Sequence, residues 1–249
     1  MKKSCLLFLI CCVSIRLFAQ TADLDPFYKY FMNAQYDSAR MVLEKRLEID
    51  PDNPQLHFHL GKTYLALKKH DSAIQEFRRS LRDSPADTKV YECIGSAYED
   101  IGMTVEAIEA YESSIRSDPS IPSTQLKCVS LYYNQHDYDA SISSLWNFMK
   151  IDSSNMQAYY LLGRSYLKKA EHDRAIHVAL QACIKDSSDF PNTLNLGIAY
   201  YNMENFENAE EALEKAVKRS PKSGEARYYL GQTYASIDQR ADAKRHLEA

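Results

Sequence analysis

Glycine is scarce in this 249-residue chain, with seven in all, and there is no Gly/Ser linker, no low-complexity tract and no long run of one charge. Five of the glycines, Gly61, Gly95, Gly163, Gly197 and Gly231, recur at one position of a repeat, which leaves no glycine-rich loop to cradle a phosphate. Nothing matches a nucleophile elbow, a helical zinc pair or a P-loop. Strand-like alternation of any length is absent, so an all-helical architecture is the one expected. Basic residues are not in excess, 30 Lys and Arg against 34 Asp and Glu, which argues against a nucleic-acid partner.

The first residues stand apart from the rest. Lys2 and Lys3 precede an apolar run from Cys5 to Ile15, followed by Arg16 and Leu17-Phe18-Ala19. A charged start, a short apolar stretch and a small residue at the boundary describe a secretory signal, residues 1–19, and the run is too short to span a bilayer. Cleavage after Ala19 is expected, giving an exported chain, periplasmic or otherwise of the cell envelope, with no integral span. Without the leader the basic count falls from 30 to 27 against 34 acids, a net charge of −7. Three cysteines remain, Cys93, Cys128 and Cys183, an odd number that does not suggest a disulfide framework.

What fills residues 20–249 is a period of 34 residues without insertion or deletion. Seven units start near Gln20, Pro54, Thr88, Pro122, Met156, Phe190 and Gly224, the last one incomplete. The eleventh position is Tyr30, Tyr64, Tyr98, Tyr132, Tyr166, Tyr200 and Tyr234, and this column sets the register. The eighth position is mostly glycine and the twentieth is alanine except Ser141, as expected where two antiparallel helices cross closely. Position 24 carries a large group in most units, among them Leu43, Phe77, Tyr111 and Leu213, with Ala179 as the exception. Asp50-Pro51, Ser84-Pro85, Asp118-Pro119 and Ser220-Pro221 end second helices, because proline pushes its predecessor out of the helical region.

Leu-Gly, a Tyr three residues on, a later Ala, a large apolar group and a closing Pro together resemble the tetratricopeptide repeat. The resemblance covers residues 20–249, departing most in the first unit, where Pro26 and Phe27 replace Leu-Gly and imply a short or irregular first helix. It implies an all-α solenoid of about seven helix-turn-helix repeats in a right-handed superhelix, with a concave groove that binds peptides or partner proteins. The Lys, Asn and Arg clamp of the family's chaperone-binding members is not matched, since Lys62, Ser96 and Ser130 hold the ninth positions where its first asparagine would fall.

Helical geometry locates the groove. Positions 4, 7, 8 and 11 of each first helix face its partner, so positions 2, 6, 9 and 13 form the opposite stripe, with 5 and 12 at its edge. From the fourth unit onward this stripe and its edges supply Lys127, Tyr133, Asn134, Tyr160, Arg164, Lys168, Asn195, Tyr201, Asn202 and Tyr229 as candidate peptide-binding residues. Tyrosines, amides and a few cations suit an extended peptide. No catalytic residue, metal or cofactor is expected. His57 and His59 lie two apart on a helix and point to nearly opposite sides, so they cannot share an ion. A non-catalytic scaffold binding a protein segment is the favoured reading. The alternatives are a self-associating solenoid, through the unshielded Ala243–Leu247 face, and the repeat arm of a longer protein.

Overall fold

A computed structural model describes residues 25–82 and 85–237 of the chain. The leader at 1–19 and the face at 243–247 therefore lie outside the described residues. Thirteen α-helices and no strand are present among the described residues. The contacts gather into two compact units that divide between Pro119 and Ser120. In the first unit lie α1 (Asp25–Met32), α2 (Tyr36–Leu47), α3 (Pro54–Ala66), α4 (His70–Ser80), α5 (Thr88–Asp100) and α6 (Thr104–Ser117). In the second lie α7 (Pro122–Asn134), α8 (Tyr138–Ile151), α9 (Met156–Lys168), α10 (His172–Lys185), α11 (Phe190–Asn202), α12 (Phe206–Arg219) and α13 (Gly224–Ser236).

The boundaries follow the period. From the second repeat on, every first helix occupies positions 1 to 13, and in all six hairpins the second helix begins at position 17. Starts are set chemically by the last residue of the preceding repeat: Asn53, Asp87, Asn155, Asp189 and Ser223 each accept a backbone N–H of the coming first turn. The turn at position 15 is left-handed in every hairpin, at Ala34, Lys68, Gly102, His136, Ala170 and Glu204, and only one of these is glycine. It allows the N–H of position 16 to reach back to the carbonyl of the position-11 tyrosine, as in Lys69 to Tyr64 at 2.9 Å and Asn205 to Tyr200 at 3.0 Å.

Within a hairpin, the glycine of the first helix faces the large residue at position 24. A methyl group added at Gly61, Gly95 or Gly197 would come within 2.6 Å of Phe77, Tyr111 or Leu213 respectively. The tyrosine column works between hairpins. Its hydroxyl reaches back twenty residues to position 25 of the preceding second helix. Tyr64 donates to Glu44 at 3.2 Å and Tyr234 to Glu214 at 2.7 Å, while Tyr98 accepts from Arg78 at 2.9 Å and Tyr166 from Trp146 Nε1 at 3.0 Å. Tyr64, Tyr98, Tyr166 and Tyr234 thus each pack a ring between hairpins and tie one repeat to the last with the oxygen.

In the second unit, successive first helices pack on one another, α9 on α11 and α11 on α13, and each second helix also packs on the next first helix. Aligned first helices form one wall and the second helices the opposite side. Pro26 sits in the first turn of α1, whose Phe27 is buried against Ala39 and Leu43 in place of the usual glycine.

Candidate functional site: the first-helix wall of the second unit

At the centre of the wall is Arg164, position 9 of α9. Its Nη1 lies 2.6 Å from Oε1 of Glu225, position 2 of α13, 61 residues on and two repeats away. Burial opposes charge on this guanidinium, but the hydrogen bond and negative charge of Glu225, with help from Tyr160 and Tyr133, outweigh it and hold Arg164 above the ordinary arginine range. Tyr229 of α13 is affected by the same pair. Burial and the charge of Glu225 push its phenol up, and Arg164 acts in the opposite sense.

The tyrosines surround this pair. Tyr201 meets Tyr229 edge-on with ring centroids 5.6 Å apart, and Tyr229 meets Tyr228 at 5.4 Å. Two of the edge tyrosines are braced from behind by position 17 of their own hairpin, Tyr133 by Tyr138 at 5.4 Å and Tyr201 by Phe206 at 6.0 Å. Five predicted residues, Tyr133, Tyr160, Arg164, Tyr201 and Tyr229, are therefore brought together in one cluster. Lys127, Asn134, Lys168 and Asn202 are exposed around it.

Asn195 is a correction. Expected on the groove surface, it is fully buried. Its Nδ2 donates to the backbone carbonyl of Tyr160 at 3.0 Å and lies 3.0 Å from where a methyl group on Gly163 would stand. With Ala179 small at position 24, the close neighbour of Gly163 is this amide from the next hairpin. Asn195 joins two repeats rather than meeting a ligand. Sequence reasoning missed Glu225, although it lies on the predicted stripe at position 2 of the seventh repeat.

The histidines separate as helix geometry requires. His57 is buried, with Nδ1 2.6 Å from Glu76 and Nε2 2.8 Å from the carbonyl of Pro51. His59 packs on Phe27, and its Nε2 lies 3.3 Å from the hydroxyl of Tyr28. Among the described residues no group of three or more His, Cys, Asp or Glu is arranged to hold a metal ion, and no helix is long and apolar enough to cross a membrane. Cys93, Cys128 and Cys183 form no disulfide among the described residues. Cys128 is buried, whereas Cys183 is only partly so and lines an outer-face cavity of about 370 Å³ with Leu180, Leu196 and Arg219.

Capped 34-residue hairpins, stacked through a tyrosine column and presenting a wall of first-helix side chains, define a helical repeat solenoid. Tetratricopeptide repeat models match residues 30–92, 88–121, 129–190 and 194–245. The chain belongs to the tetratricopeptide repeat family. A stretch of 95 residues is 33% identical to human cilia- and flagella-associated protein 70, which is 38% of this chain but only 8% of that protein's length. The C-terminal part of a repeat protein from Cytophaga hutchinsonii superposes with a TM-score of 0.71 at 18% identity, covering 88% of this chain and 91% of the other. YrrB, described as a repeat protein with an unusual peptide-binding site, gives 0.63 at 17% identity, covering 74% of this chain and 95% of the other.

Proposed function

We propose that the protein is a non-catalytic scaffold of the cell envelope that holds a peptide or protein segment against the first-helix wall of its second unit. The observation that carries the reading is the cluster around Arg164: braced tyrosines offer rigid contact area at low entropic cost, and the exposed Asn134 and Asn202 can hydrogen-bond an extended backbone. Membership of a family of protein-interaction solenoids supports it, as does the likeness to YrrB. The envelope assignment rests on the leader-like residues 1–19 alone; N-terminal sequencing of the chain recovered from a periplasmic extract tests it, with Gln20 as the expected first residue.

Selection of a displayed random-peptide library on the purified chain tests the wall. Enriched peptides are expected to lose at least about tenfold in affinity when Arg164→Glu is combined with Asn202→Ala, since two polar contacts of this kind each contribute about 1 kcal/mol. Peptides that bind wild type and the double variant equally would remove the wall from consideration.

A further inference from the structure

Charge is distributed unevenly over this chain, and the wall has the opposite sign to the whole. Across the stripe and edge positions of the fourth to seventh repeats stand three cations, Lys127, Arg164 and Lys168, and one acid, Glu225, a balance of +2 on a chain of formal charge −4. The same positions of the third repeat carry one cation, Lys89, against Glu92, Glu99 and Asp100, a balance of −2. The single acid of the positive wall is the one bonded to its central cation.

From this, and resting on the wall being the binding face, we infer that the segment held there is acidic, and that Glu225 is an internal stand-in for its carboxylate on Arg164. The Glu225 carboxylate sits where a ligand carboxylate would have to sit, 2.6 Å from Nη1 of a guanidinium that Tyr160 and Tyr133 also favour in its charged form, and close enough to Tyr229 to act on its phenol. It is well placed as a stand-in because it lies in the first turn of α13, where the helix N-terminus favours negative charge. It is also readily displaced. The two side chains are 21% and 42% exposed, so solvent screens the pair on its glutamate side, and an incoming carboxylate that makes the same contact regains what the exchange gives up. Once released, Glu225 turns to solvent, and the exposed Lys168 stands ready to meet a further acidic residue along the segment. The pair therefore acts as a selectivity device: a neutral or basic segment cannot replace Glu225 on the guanidinium, while an acidic one exchanges like for like.

The test uses the full chain and three fluorescein-labelled decapeptides, Glu/Gly, Gln/Gly and Lys/Gly, followed by fluorescence anisotropy at low and at physiological salt. The Glu/Gly peptide is expected to bind best, to weaken as salt is added, and to bind about fivefold tighter to Glu225→Gln, the factor expected for removing a weak competing pair. Arg164→Gln should weaken it about tenfold, while Arg164→Lys keeps most of the binding and guards against a merely misfolded variant. Preference for the Lys/Gly peptide, or an unchanged affinity in Glu225→Gln, overturns the inference. If peptides from the random library still bind the wall in either case, the acidic assignment alone has failed. If neither they nor the Glu/Gly peptide respond to Arg164→Glu with Asn202→Ala, the wall itself is wrong.

Discussion

The phenol of Tyr234 donates to the carboxylate of Glu214 at 2.7 Å, joining the last described first helix to the second helix before it. Tyr200 stands at the same position one repeat earlier, and the residue twenty before it is Leu180, which offers no acceptor. The column therefore contains its own control. Tyr234→Phe is expected to lower stability by about 1 kcal/mol, the usual worth of one such hydrogen bond, whereas Tyr200→Phe should be near neutral. Chemical denaturation of both variants checks the difference; equal losses would mean that the ladder is packing alone.

Glycine at the eighth position should matter in proportion to what faces it. Gly95→Ala drives a methyl group to 2.6 Å from the ring of Tyr111, which is fully buried and cannot retreat. A loss of about 2–3 kcal/mol is expected, as for other overpacked sites. In Gly163→Ala the neighbour is the Asn195 amide at 3.0 Å, which can move at the expense of one hydrogen bond, so about 1 kcal/mol is expected. Paired thermal melts decide the order.

Backbone strain at position 15 is open to a test free of clashes. Gly102 has φ of +77° with nothing near its Cα to obstruct a side chain, so Gly102→Ala measures conformation alone and should cost about 1 kcal/mol. Ala170 already bears that cost at φ of 58°, and Ala170→Gly should gain up to about 0.5 kcal/mol after the added freedom of the unfolded chain is subtracted. Opposite signs in the two melting shifts are the expected result.

His59 makes the first unit sensitive to acid. Burial, reinforced by the charge of Lys62, pushes its imidazole down from 6.5 to about 4. Below pH 6.5 the unfolded chain takes up a proton that the folded chain refuses until about pH 4, so this contribution is intact above pH 6.5 and is lost as pH falls through that window. Because the ring is partly exposed, a loss of about 1–2 kcal/mol is expected. The difference in stability between pH 7 and pH 4.5 should shrink by that amount in His59→Phe.

The period, the all-helical class and the helix boundaries were legible because each repeat solves the same local problem with the same residues. Tyrosine at position 11 and proline near the end of the second helix speak for themselves in a single chain. The capping column that ends in Asn155, Asp189 and Ser223 was equally available to sequence reasoning but was hidden by its exception, Ile121, which makes no side-chain cap. Left-handed residues at position 15 leave almost no trace, since Lys68, His136 and Glu204 are not the glycines such a turn favours.

At the candidate site the helical stripe correctly gathered Arg164 with the tyrosines, because positions spaced by three and four share a face whatever the tertiary structure. Asn195 escaped that logic. A small residue at 179 draws a side chain from the neighbouring hairpin inward, and no single-helix pattern contains that information. The pairing of Arg164 with Glu225, two repeats apart, likewise depends on how successive first helices are stacked rather than on either helix by itself.

Site-specific photo-crosslinking tests the central claim most directly. A photoreactive phenylalanine analogue is placed at Asn134, Lys168 or Asn202 on the wall, and at Glu211 or Lys218 on a second helix, and each variant is irradiated with a library-selected peptide. The account predicts crosslinks from the three wall positions and none from the two outer ones. Crosslinks confined to Glu211 and Lys218 would contradict it.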